Sequence, residues 1–573
     1  MKKIVIPVVA FVISGLAVTP AMAAEQSVPS AKWPKPPSNT KVTFRFGLTR
    51  DDVGAIEKLK DVSSPSSANF RDWLSEASIN SAYGATAATK KAARSWFKQH
   101  GFTAKVDPTG VFLEATGTAV KWASVFGARL TMSANDTAYD LAGTSIFARK
   151  APTLPAGLTG LVTEAVWYDV TSQKIKGALA GAPAPAPKLS DPVPGAPQNL
   201  GTFGKSCPKA EQGKQAYAFN QFATAYGLTS LPDSSVGILT FGEGVANRSL
   251  RAAERCWGWP TKQVRYNLTD GQSKKPGLHL SGFSEPQLDV QVIRGLMSNA
   301  TVVNYQGFVN FDLWFNVLAE AYNDPQHPNV LSISYGECEL YIAKNDQART
   351  LFDAIALRLG LTGTTVLTAS GDSGAASCAA TTSVAYPASS PYVTTVGGTR
   401  LVVDAQNQRA SEVAWNDYAW LADGEGGGAS GGGVSSYYAK PWWQANVAED
   451  YTMRALPDIA AHASMFPAWP VIYKVKSANG SWKRQYDLVA GTSASAPLVA
   501  AMVAGANVAR SDGKPLGFLN PYLYAAGKSD ADAFFDITSG NNAVAGASAG
   551  YQAGPGYDLV TGWGVPMFGT FTR

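Results

Sequence analysis

The chain of 573 residues is poor in histidine, cysteine and charge. Four histidines and four cysteines are present, and charged residues make up 16%. No Cys-x-x-Cys pair occurs, which argues against a zinc or dithiol redox site. The net charge is only +5 and no run of Lys or Arg stands out, so neither nucleic acid nor an anionic membrane is expected as a partner. Beyond the N-terminus we find no apolar stretch long enough to span a bilayer, which indicates a soluble mature protein.

The N-terminal segment has the layout of a secretory signal. Lys2 and Lys3 are basic, an apolar run extends from Ile4 to about Val18, and small residues follow at Ala21, Ala23 and Ala24. We expect cleavage after Ala23 and a secreted protein, either extracellular or periplasmic. A membrane anchor is the alternative, but the run is shorter than the ~20 residues of a bilayer span.

Four cysteines in an exported chain make two disulfides the expectation. Three pairings are possible. We favour Cys207–Cys256 and Cys338–Cys378, because the last two cysteines follow segments that we expect on neighbouring strands.

The length and the composition divide the chain into two folded units. Residues 24–177 are predicted to form an α+β unit that begins with a strand at Val42, and residues 178–205, rich in Pro, Ala and Gly, form a linker. Residues 206–573 form one large α/β domain, because apolar, β-branched runs alternate there with helical stretches. The helices of the first unit are expected near 51–61, 69–77, 87–100 and 118–126. The strands of the second are expected at 235–240, 301–305, 329–334 and 364–369.

The best local signal for catalysis is the segment Gly491-Thr-Ser-Ala-Ser-Ala-Pro497. A strand-like run precedes it and an Ala/Val-rich helical stretch follows. Ser493 is therefore predicted on a strand-to-helix turn beside free backbone N–H groups, where a serine can act as a nucleophile. The same pattern also fits a turn that only begins an ordinary helix.

A serine nucleophile needs a base, and the usual histidine is hard to find here. None of the four histidines stands in the His-Gly-Thr context of a subtilisin. Glu285 and Asp289 instead lie four residues apart on a predicted helix that Ser284 could cap and that runs to about Met297. Two like charges so placed repel, which raises the pKa of at least one and allows a proton to be shared. A solvated acidic first turn is the alternative.

A third acidic residue, Asp372, lies in Ser370-Gly-Asp-Ser-Gly374, directly after a predicted buried strand. The segment looks superficially like the Gly-Asp-Ser-Gly of trypsin-like enzymes, but Ala375 replaces the glycine that would follow and the β-rich pattern is missing. An aspartate at the end of a buried strand is better placed as a partner in a cleft.

Taken in order, the three motifs resemble those of the sedolisins, or serine-carboxyl peptidases. That family has a Glu…Asp pair four residues apart, an Asp in Ser-Gly-Asp-x-Gly, and a serine in Gly-Thr-Ser-Ala-x-x-Pro. The resemblance implies a subtilisin-like α/β domain with a mostly parallel sheet flanked by helices, preceded by an α+β, ferredoxin-like prodomain. Further stretches similar to the family are 332–336, 386–392, 396–399, 430–435 and 454–460.

By this resemblance Ser493 is the nucleophile and Glu285 is its general base, while Asp289 orients Glu285 and shares its proton. Asp372 is a protonated carboxyl that donates to the oxyanion. Because Glu285 must be ionised while Asp372 is neutral, the resemblance implies activity in acid.

The resemblance also implies one structural Ca²⁺ near the C-terminus. Its ligands would be the carboxylates of Asp536 and Asp558 with the carbonyls of Ile537, Gly554 and Gly556, an all-oxygen shell of the kind that Ca²⁺ prefers. An incidental Gly/Pro turn is the alternative.

The implied partners are protein and peptide substrates and the chain's own prodomain. The prodomain would cover the cleft of a monomeric enzyme as an intramolecular inhibitor and be removed in the linker. If carboxylate contacts hold it, acid should loosen it by protonating them. Two other functions remain: a secreted pseudoenzyme, and a subtilisin that works near neutral pH with His279 or His462. The sequence also leaves internal cleavage and removal of N-terminal tripeptides as alternatives.

Overall fold

The computed structural model describes most of the two predicted units. The predicted signal, the linker, Cys207 and His279 lie outside the described residues. These are 34–133, 141–148, 150–175, 216–242, 244–269, 283–307, 313–342, 346–378, 381–420, 427–445, 447, 449–477, 479–544 and 550–572.

The N-terminal unit is built on an antiparallel sheet of order β2-β3-β1-β6, and β4, β5 and β7 form a second sheet. Aromatic side chains fill the core; Phe44, for example, packs against Trp122 with ring centroids 4.8 Å apart. The elements are β1 (Lys41–Leu48), α1 (Asp52–Ser63), α2 (Glu76–Ala82), α3 (Ala87–Gln99), β2 (Thr103–Val106), β3 (Phe112–Thr118), α4 (Ala119–Phe126), β4 (Leu130–Ser133), β5 (Leu141–Ala148), β6 (Val162–Val166) and β7 (Tyr168–Ile175).

One helix of this unit was expected at 69–77 and instead begins at Glu76. Arg71 has a φ of +63°, a left-handed conformation that a helix does not continue through. The hydroxyl of Ser75 accepts a hydrogen bond from the backbone N–H of Ser78 and so caps the real helix.

The C-terminal unit is an α/β domain whose sheet has the order β16-β15-β13-β11-β8-β10-β9, with β19 beside β15. Every pairing in this sheet is parallel except β15 with β16. The elements are α5 (Phe219–Ala225), β8 (Ser235–Phe241), α6 (Asn247–Trp257), β9 (Arg265–Leu268), α7 (Glu285–Leu296), β10 (Thr301–Gly307), α8 (Trp314–Asn323), β11 (Val330–Ile333), β12 (Glu337–Cys338), α9 (Glu339–Ile342), α10 (Asp346–Leu361), β13 (Thr365–Ala369), β14 (Ala385–Tyr386), β15 (Thr394–Val403), β16 (Arg409–Ala414), β17 (Gly433–Ala439), β18 (Met453–Leu456), β19 (Ile459–His462), β20 (Trp469–Lys476), β21 (Trp482–Val489), α11 (Thr492–Ala509), α12 (Asn520–Ser529), β22 (Phe534–Phe535), β23 (Val565–Pro566) and α13 (Phe568–Thr572).

Both faces of this sheet are buried, as the apolar runs predict. Val330 on β11 belongs to an apolar cluster that includes α7 and α11, whereas its neighbour Leu331 belongs to a cluster that includes α8 and α10. Successive residues of a strand point to opposite faces, so helices cover the sheet on both sides. In the described part of the chain, α11 alone is long and apolar enough to cross a membrane, contrary to the expectation that no such stretch occurs; 83% of it is buried inside the domain, as in a core helix.

The predicted disulfide between Cys338 and Cys378 is confirmed, with Cα atoms 5.0 Å apart. Cys338 lies on β12, which pairs with β14. Cys256 is also disulfide-bonded. Its predicted partner, Cys207, is outside the described residues.

The N-terminal unit docks on α10 and on the loop before α12. The buried guanidinium of Arg358 on α10 donates to the Asp52 carboxylate (3.0 Å) and to the carbonyl of Tyr83 (2.8 Å). The indole N–H of Trp73 donates to the carbonyl of Pro515 (2.9 Å). These contacts hold the two units together through specific hydrogen bonds as well as apolar packing.

Candidate functional site

The candidate site lies where two parallel strands end. β11 and β13 are neighbours in the sheet, with Ile333 opposite Thr368, so their carboxyl ends meet at one edge. Ser334 follows β11 and Asp372 follows β13. The first residue of α11, Thr492, lies at the same edge because it hydrogen-bonds to Asp372.

Ser334 links the predicted nucleophile to the acidic pair on α7. Its hydroxyl donates to Oδ1 of Asp289 (2.7 Å) and lies 3.2 Å from the carbonyl oxygen of Ser493. The Oγ of Ser493 is 3.3 Å from the carbonyl oxygen of Ser334. Residues from α7, the end of β11 and the start of α11 therefore meet in one buried cluster.

The acidic pair opens α7, with Glu285 as its first residue and Asp289 one turn later. Glu285 is 6% exposed and Asp289 is fully buried, so the alternative of a solvated acidic turn is wrong. Ser284 directly precedes the helix, but its side chain makes no capping hydrogen bond to the first turn, so the predicted cap is wrong. Its hydroxyl instead donates to the carbonyl of Gly244 (3.2 Å), which ties a neighbouring loop to the start of the helix.

Asp372 is bound to the residue next to Ser493. Its Oδ1 accepts hydrogen bonds from the backbone N–H (2.8 Å) and the hydroxyl (2.7 Å) of Thr492. The same hydroxyl accepts from the N–H of Gly371 (3.1 Å). The carboxyl, 3% exposed, is therefore fixed against the N-terminus of α11.

A Gly-rich segment, residues 427–433, packs closely on the turn that carries Asp372. The N–H of Gly431 donates to the carbonyl of Gly371 (2.8 Å), and a Cβ at Gly431 would lie 2.2 Å from the carbonyl oxygen of Ser370. A Cβ at Gly428 would lie 2.5 Å from the ring of Trp415. Glycine is needed here for close approach, and Gly428 is not part of a loose surface loop.

His462 cannot act as the base in a subtilisin-like triad. Its Nδ1 accepts from the N–H of Leu401 (3.1 Å), so its Nε2 donates to the carbonyl of Pro467 (2.8 Å). Burial lowers the pKa of His462 to about 3. Both ring nitrogens are thus engaged in the core, while His279, the other candidate, lies outside the described residues.

The predicted calcium ligands come from two segments that meet. Oδ2 of Asp536 accepts from the N–H of Gly556 (2.8 Å), and Oδ2 of Asp558 accepts from the N–H of Gly554 (3.0 Å). In the described part of the chain, no hydrogen bond is accepted by the carbonyl oxygens of Ile537, Gly554 and Gly556. Burial raises the pKa of Asp558 to about 6, and a divalent cation would offset the cost of burying this carboxylate. The donor set fits the all-oxygen shell of Ca²⁺.

Two residues of the site were not assigned by sequence reasoning. Ser334 belongs to the noted stretch 332–336 but received no role, and Thr492 was treated only as part of the serine motif. Both residues carry a hydroxyl group next to the predicted end of a strand or start of a helix. That feature points to a site only when the order of the strands, with β11 beside β13, is known.

Two known families match separate parts of the chain. Residues 30–164 match the Pro-kumamolisin activation domain, and residues 268–516 match the subtilase family. The second match contains Glu285, Asp372 and Ser493.

Similar whole proteins are peptidases by name. Kumamolisin from a Bacillus species is 36% identical over 368 residues, which span 62% of this chain and 61% of that protein. Sedolisin from a Pseudomonas species is 28% identical over 534 residues, 90% of this chain and 84% of that protein. Tripeptidyl-peptidase sed4 from Aspergillus fumigatus is 26% identical over 605 residues, 92% of this chain and 91% of that protein.

A solved structure agrees with these matches. Pseudomonas sedolisin, a serine-carboxyl proteinase in complex with two molecules of pseudo-iodotyrostatin, aligns with a TM-score of 0.54 and 28% identity, covering 62% of this chain and 97% of that one. An activation domain followed by a subtilisin-like domain is the arrangement that these matches describe. The chain combines a Pro-kumamolisin activation domain with a subtilase-type domain, and it is similar to kumamolisin and to the serine-carboxyl proteinase sedolisin.

A substitution at Gly491 tests the geometry around Asp372. It has a φ of +129°, and a Cβ there would lie 2.7 Å from Oδ2 of Asp372. Gly491→Ala should displace the carboxyl and lower kcat/KM for peptide hydrolysis on the order of 10²-fold, because small misplacements of reacting groups are costly. Gly569→Ala is the control, since Gly569 has open space around its Cβ position. A Gly491→Ala enzyme with unchanged kcat/KM would contradict the geometry.

Proposed function

We propose that this chain is a secreted peptidase active in acid, made as a self-processing proenzyme, in which Ser493 attacks the carbonyl of protein and peptide substrates to form an acyl-enzyme. The observation that carries the proposal is the pair of links at the start of α11. Asp289 reaches Ser493 through Ser334, and Asp372 binds Thr492. Two carboxyl groups are thereby linked to the start of α11, and Glu285 lies one turn from Asp289 on α7.

In this proposal Glu285 takes the proton from the Ser493 hydroxyl as the serine attacks. Asp289, one turn along α7 and fully buried, shares this proton, since two carboxylates this close in a buried setting resist being ionised together. The hydroxyl of Ser334 holds Asp289 in position. The proton then passes to the leaving amine.

Asp372 would stabilise the oxyanion as a neutral acid. Its Oδ1 takes both donors of Thr492, so the acid proton would reside on Oδ2, which faces Gly491. A neutral carboxyl can donate to the developing negative charge, whereas an ionised one would repel it. This requirement restricts the proposed reaction to acid.

The test is hydrolysis of a denatured protein from pH 2 to 8 by the matured wild type and four variants. We expect activity in acid only, its loss in Glu285→Ala and Ser493→Ala, and a fall in kcat of about 10²–10³ or more in Asp372→Ala, the cost of removing one oxyanion donor. His279→Ala should keep full activity. Activity at neutral pH that survives Glu285→Ala would place the base elsewhere, and no activity at any pH would favour the pseudoenzyme. Mass analysis of the products separates internal cuts from released tripeptides.

The activation domain is proposed as the intramolecular inhibitor of a monomeric enzyme. Support comes from interface carboxylates that acid would neutralise: Asp52 pairs with Arg358 (3.0 Å) and Asp72 with Lys514 (2.6 Å). Because the proenzyme is proposed to process itself through Ser493, the full-length Ser493→Ala protein should accumulate uncut at acidic pH. Normal conversion of this variant would show that another protease processes it.

Buried carboxyl groups elsewhere in the peptidase domain also make the folded state more stable in acid than at neutral pH. Burial raises the pKa of Asp353 and of Asp487 to about 6, above the ordinary value of 3.8. The folded state then binds these protons more tightly than the unfolded state. Each group contributes stability that is fully present below about pH 3.8 and is lost as the pH rises through 6, on the order of 2–3 kcal/mol per group.

Asp487 offers a direct test of this pH dependence. It lies on β21, the hydroxyl of Tyr473 donates to its Oδ2, and its buried Oδ1 has no hydrogen-bond partner among the described residues. In a Ser493→Ala background, Asp487→Asn should raise the melting temperature at pH 6–7 and leave it unchanged near pH 4. The exposed Asp532→Asn is the control. A variant that is equally destabilised at both pH values would mean that the ionised carboxylate stabilises the fold.

One structural Ca²⁺ is proposed at the C-terminal loop, held by Asp536, Asp558 and the carbonyls of Ile537, Gly554 and Gly556. The ion would neutralise the two carboxylates and stabilise the loop.

Removal of Ca²⁺ tests this site through stability. EDTA should lower the melting temperature of the Ser493→Ala protein by several degrees, because an ion that binds only the folded state stabilises it. Asp536→Ala should have the lower melting temperature already and should not respond to EDTA, whereas Asp532→Ala should respond as the parent does. A protein that contains no Ca²⁺ and keeps its melting temperature in EDTA would contradict the site.

A further inference from the structure

Five cations from three separate segments form one surface beside α7, which we call the basic patch. It combines one helix with one two-stranded ribbon. Its members are Arg248, Arg251 and Arg255 on α6, Lys474 on β20 and Arg484 on β21.

The helix contributes a single cationic face to the basic patch. Arg248, Arg251 and Arg255 follow one another at i, i+3 and i+7, so they project from the same side of α6. All three are exposed.

The ribbon places its cations beside that face. Lys474 stands directly opposite Arg484 in the β20–β21 pairing, so these two side chains lie on the same face of the ribbon. The backbone N–H of Lys474 donates to the hydroxyl of Ser249 on α6 (2.9 Å), which ties the ribbon to the helix.

Four of the five cations of the basic patch have no acidic partner in the part of the chain that the structure describes. Arg248, Arg251, Arg255 and Lys474 form no ion pair there. The acid on α6, Glu254, is buried and bound to Arg294 (3.1 Å).

Mutual repulsion within the basic patch is visible at its centre. The pKa of Lys474 is lowered, first by burial and then by Arg255, Arg484 and Arg248. The fold therefore maintains a positive surface that an anion would stabilise.

We propose that the basic patch binds a glycan that carries sulfate or phosphate groups. A nucleic acid is less suited, because stacking of bases needs an open aromatic face and Arg248 covers the ring of Trp482, with its guanidinium carbon 4.1 Å from the centroid. A membrane is less suited, because α6, β20 and β21 expose no large apolar side chain that could insert. Sulfate and phosphate esters stay charged in acid, whereas carboxylates do not; this choice of anion rests on the proposed function.

The position of the basic patch suggests what binding would do. β21 ends at Val489, four residues before Ser493, and the side-chain amide of Gln291 on α7 makes two hydrogen bonds to the backbone of Ile472 on β20. A glycan held there would keep the catalytic cleft next to a polyanionic matrix and to the proteins embedded in it.

The test measures binding of two probes, heparin and phosphomannan, to the full-length Ser493→Ala protein at pH 4 and pH 7. Reversal of the helix charges (Arg248→Glu, Arg251→Glu and Arg255→Glu together) should raise the Kd for the bound probe at least about tenfold and make its salt dependence shallower, because ionic contacts are lost. Binding of heparin alone or of phosphomannan alone identifies the anion as sulfate or phosphate.

The matched control reverses Lys91, Arg94 and Lys98 on α3, which are exposed and have the same i, i+3 and i+7 spacing. It changes the net charge equally and should shift the Kd less than twofold. The milder pair Arg251→Gln and Arg255→Gln should weaken binding in the same direction, which keeps the test valid if the triple variant is unstable.

Three results would overturn the proposal: no binding of either glycan at 150 mM salt, equal losses in the α6 and α3 triple variants, or tighter binding of a DNA duplex or of anionic lipid vesicles than of either glycan. None of these results depends on catalysis, since the protein carries Ser493→Ala. Failure of the glycan proposal is therefore distinguishable from failure of the proposed peptidase function.

Discussion

The two hydrogen bonds that Thr492 donates to Asp372 join the start of α11 to the end of β13, and the rest of the site is arranged around that junction. Because α11 is a core helix packed against β15, β11 and α7, its first turn has little freedom to move. Gly491 permits the sharp entry into the helix with a φ of +129°. Ser493 is therefore positioned by the core of the domain, and Ser334 and Asp289 are brought to it by the strand order rather than by local loops.

The choice of carboxyl groups over histidine follows from the conditions of the proposed reaction. An ordinary imidazole is cationic in acid and cannot accept a proton from a serine, whereas a carboxylate still can. Some buried carboxyls of the domain favour the same conditions, since burial raises the pKa of Asp353, Asp487, Glu339 and Glu412.

Much of this could be predicted from the sequence, for physical reasons that differ from element to element. The β-branched runs predicted β8, β10, β11 and β13, because strands buried on both faces are apolar throughout. The helix over 69–77 was wrong because Arg71 adopts a left-handed backbone. The side chain of Ser284 makes no cap because Pro286 has no N–H to donate and the N–H of Gln287 donates to the carbonyl of Ser284. Both errors arise from contacts or conformations that propensities do not encode.

The basic patch, which is built from distant segments, was not predicted from the sequence. The composition suggested no basic surface, because the cations of α6 and those of the β20–β21 ribbon are separated by more than two hundred positions and only packing unites them. The contrast with the catalytic centre is physical. At the centre, buried charges must be balanced by partners such as Ser334 and Thr492, since an unpaired charge in the core is costly. At the basic patch, exposure to water makes an unbalanced charge tolerable, and such a charge is retained at low cost only where solvent or an anionic partner can reach it.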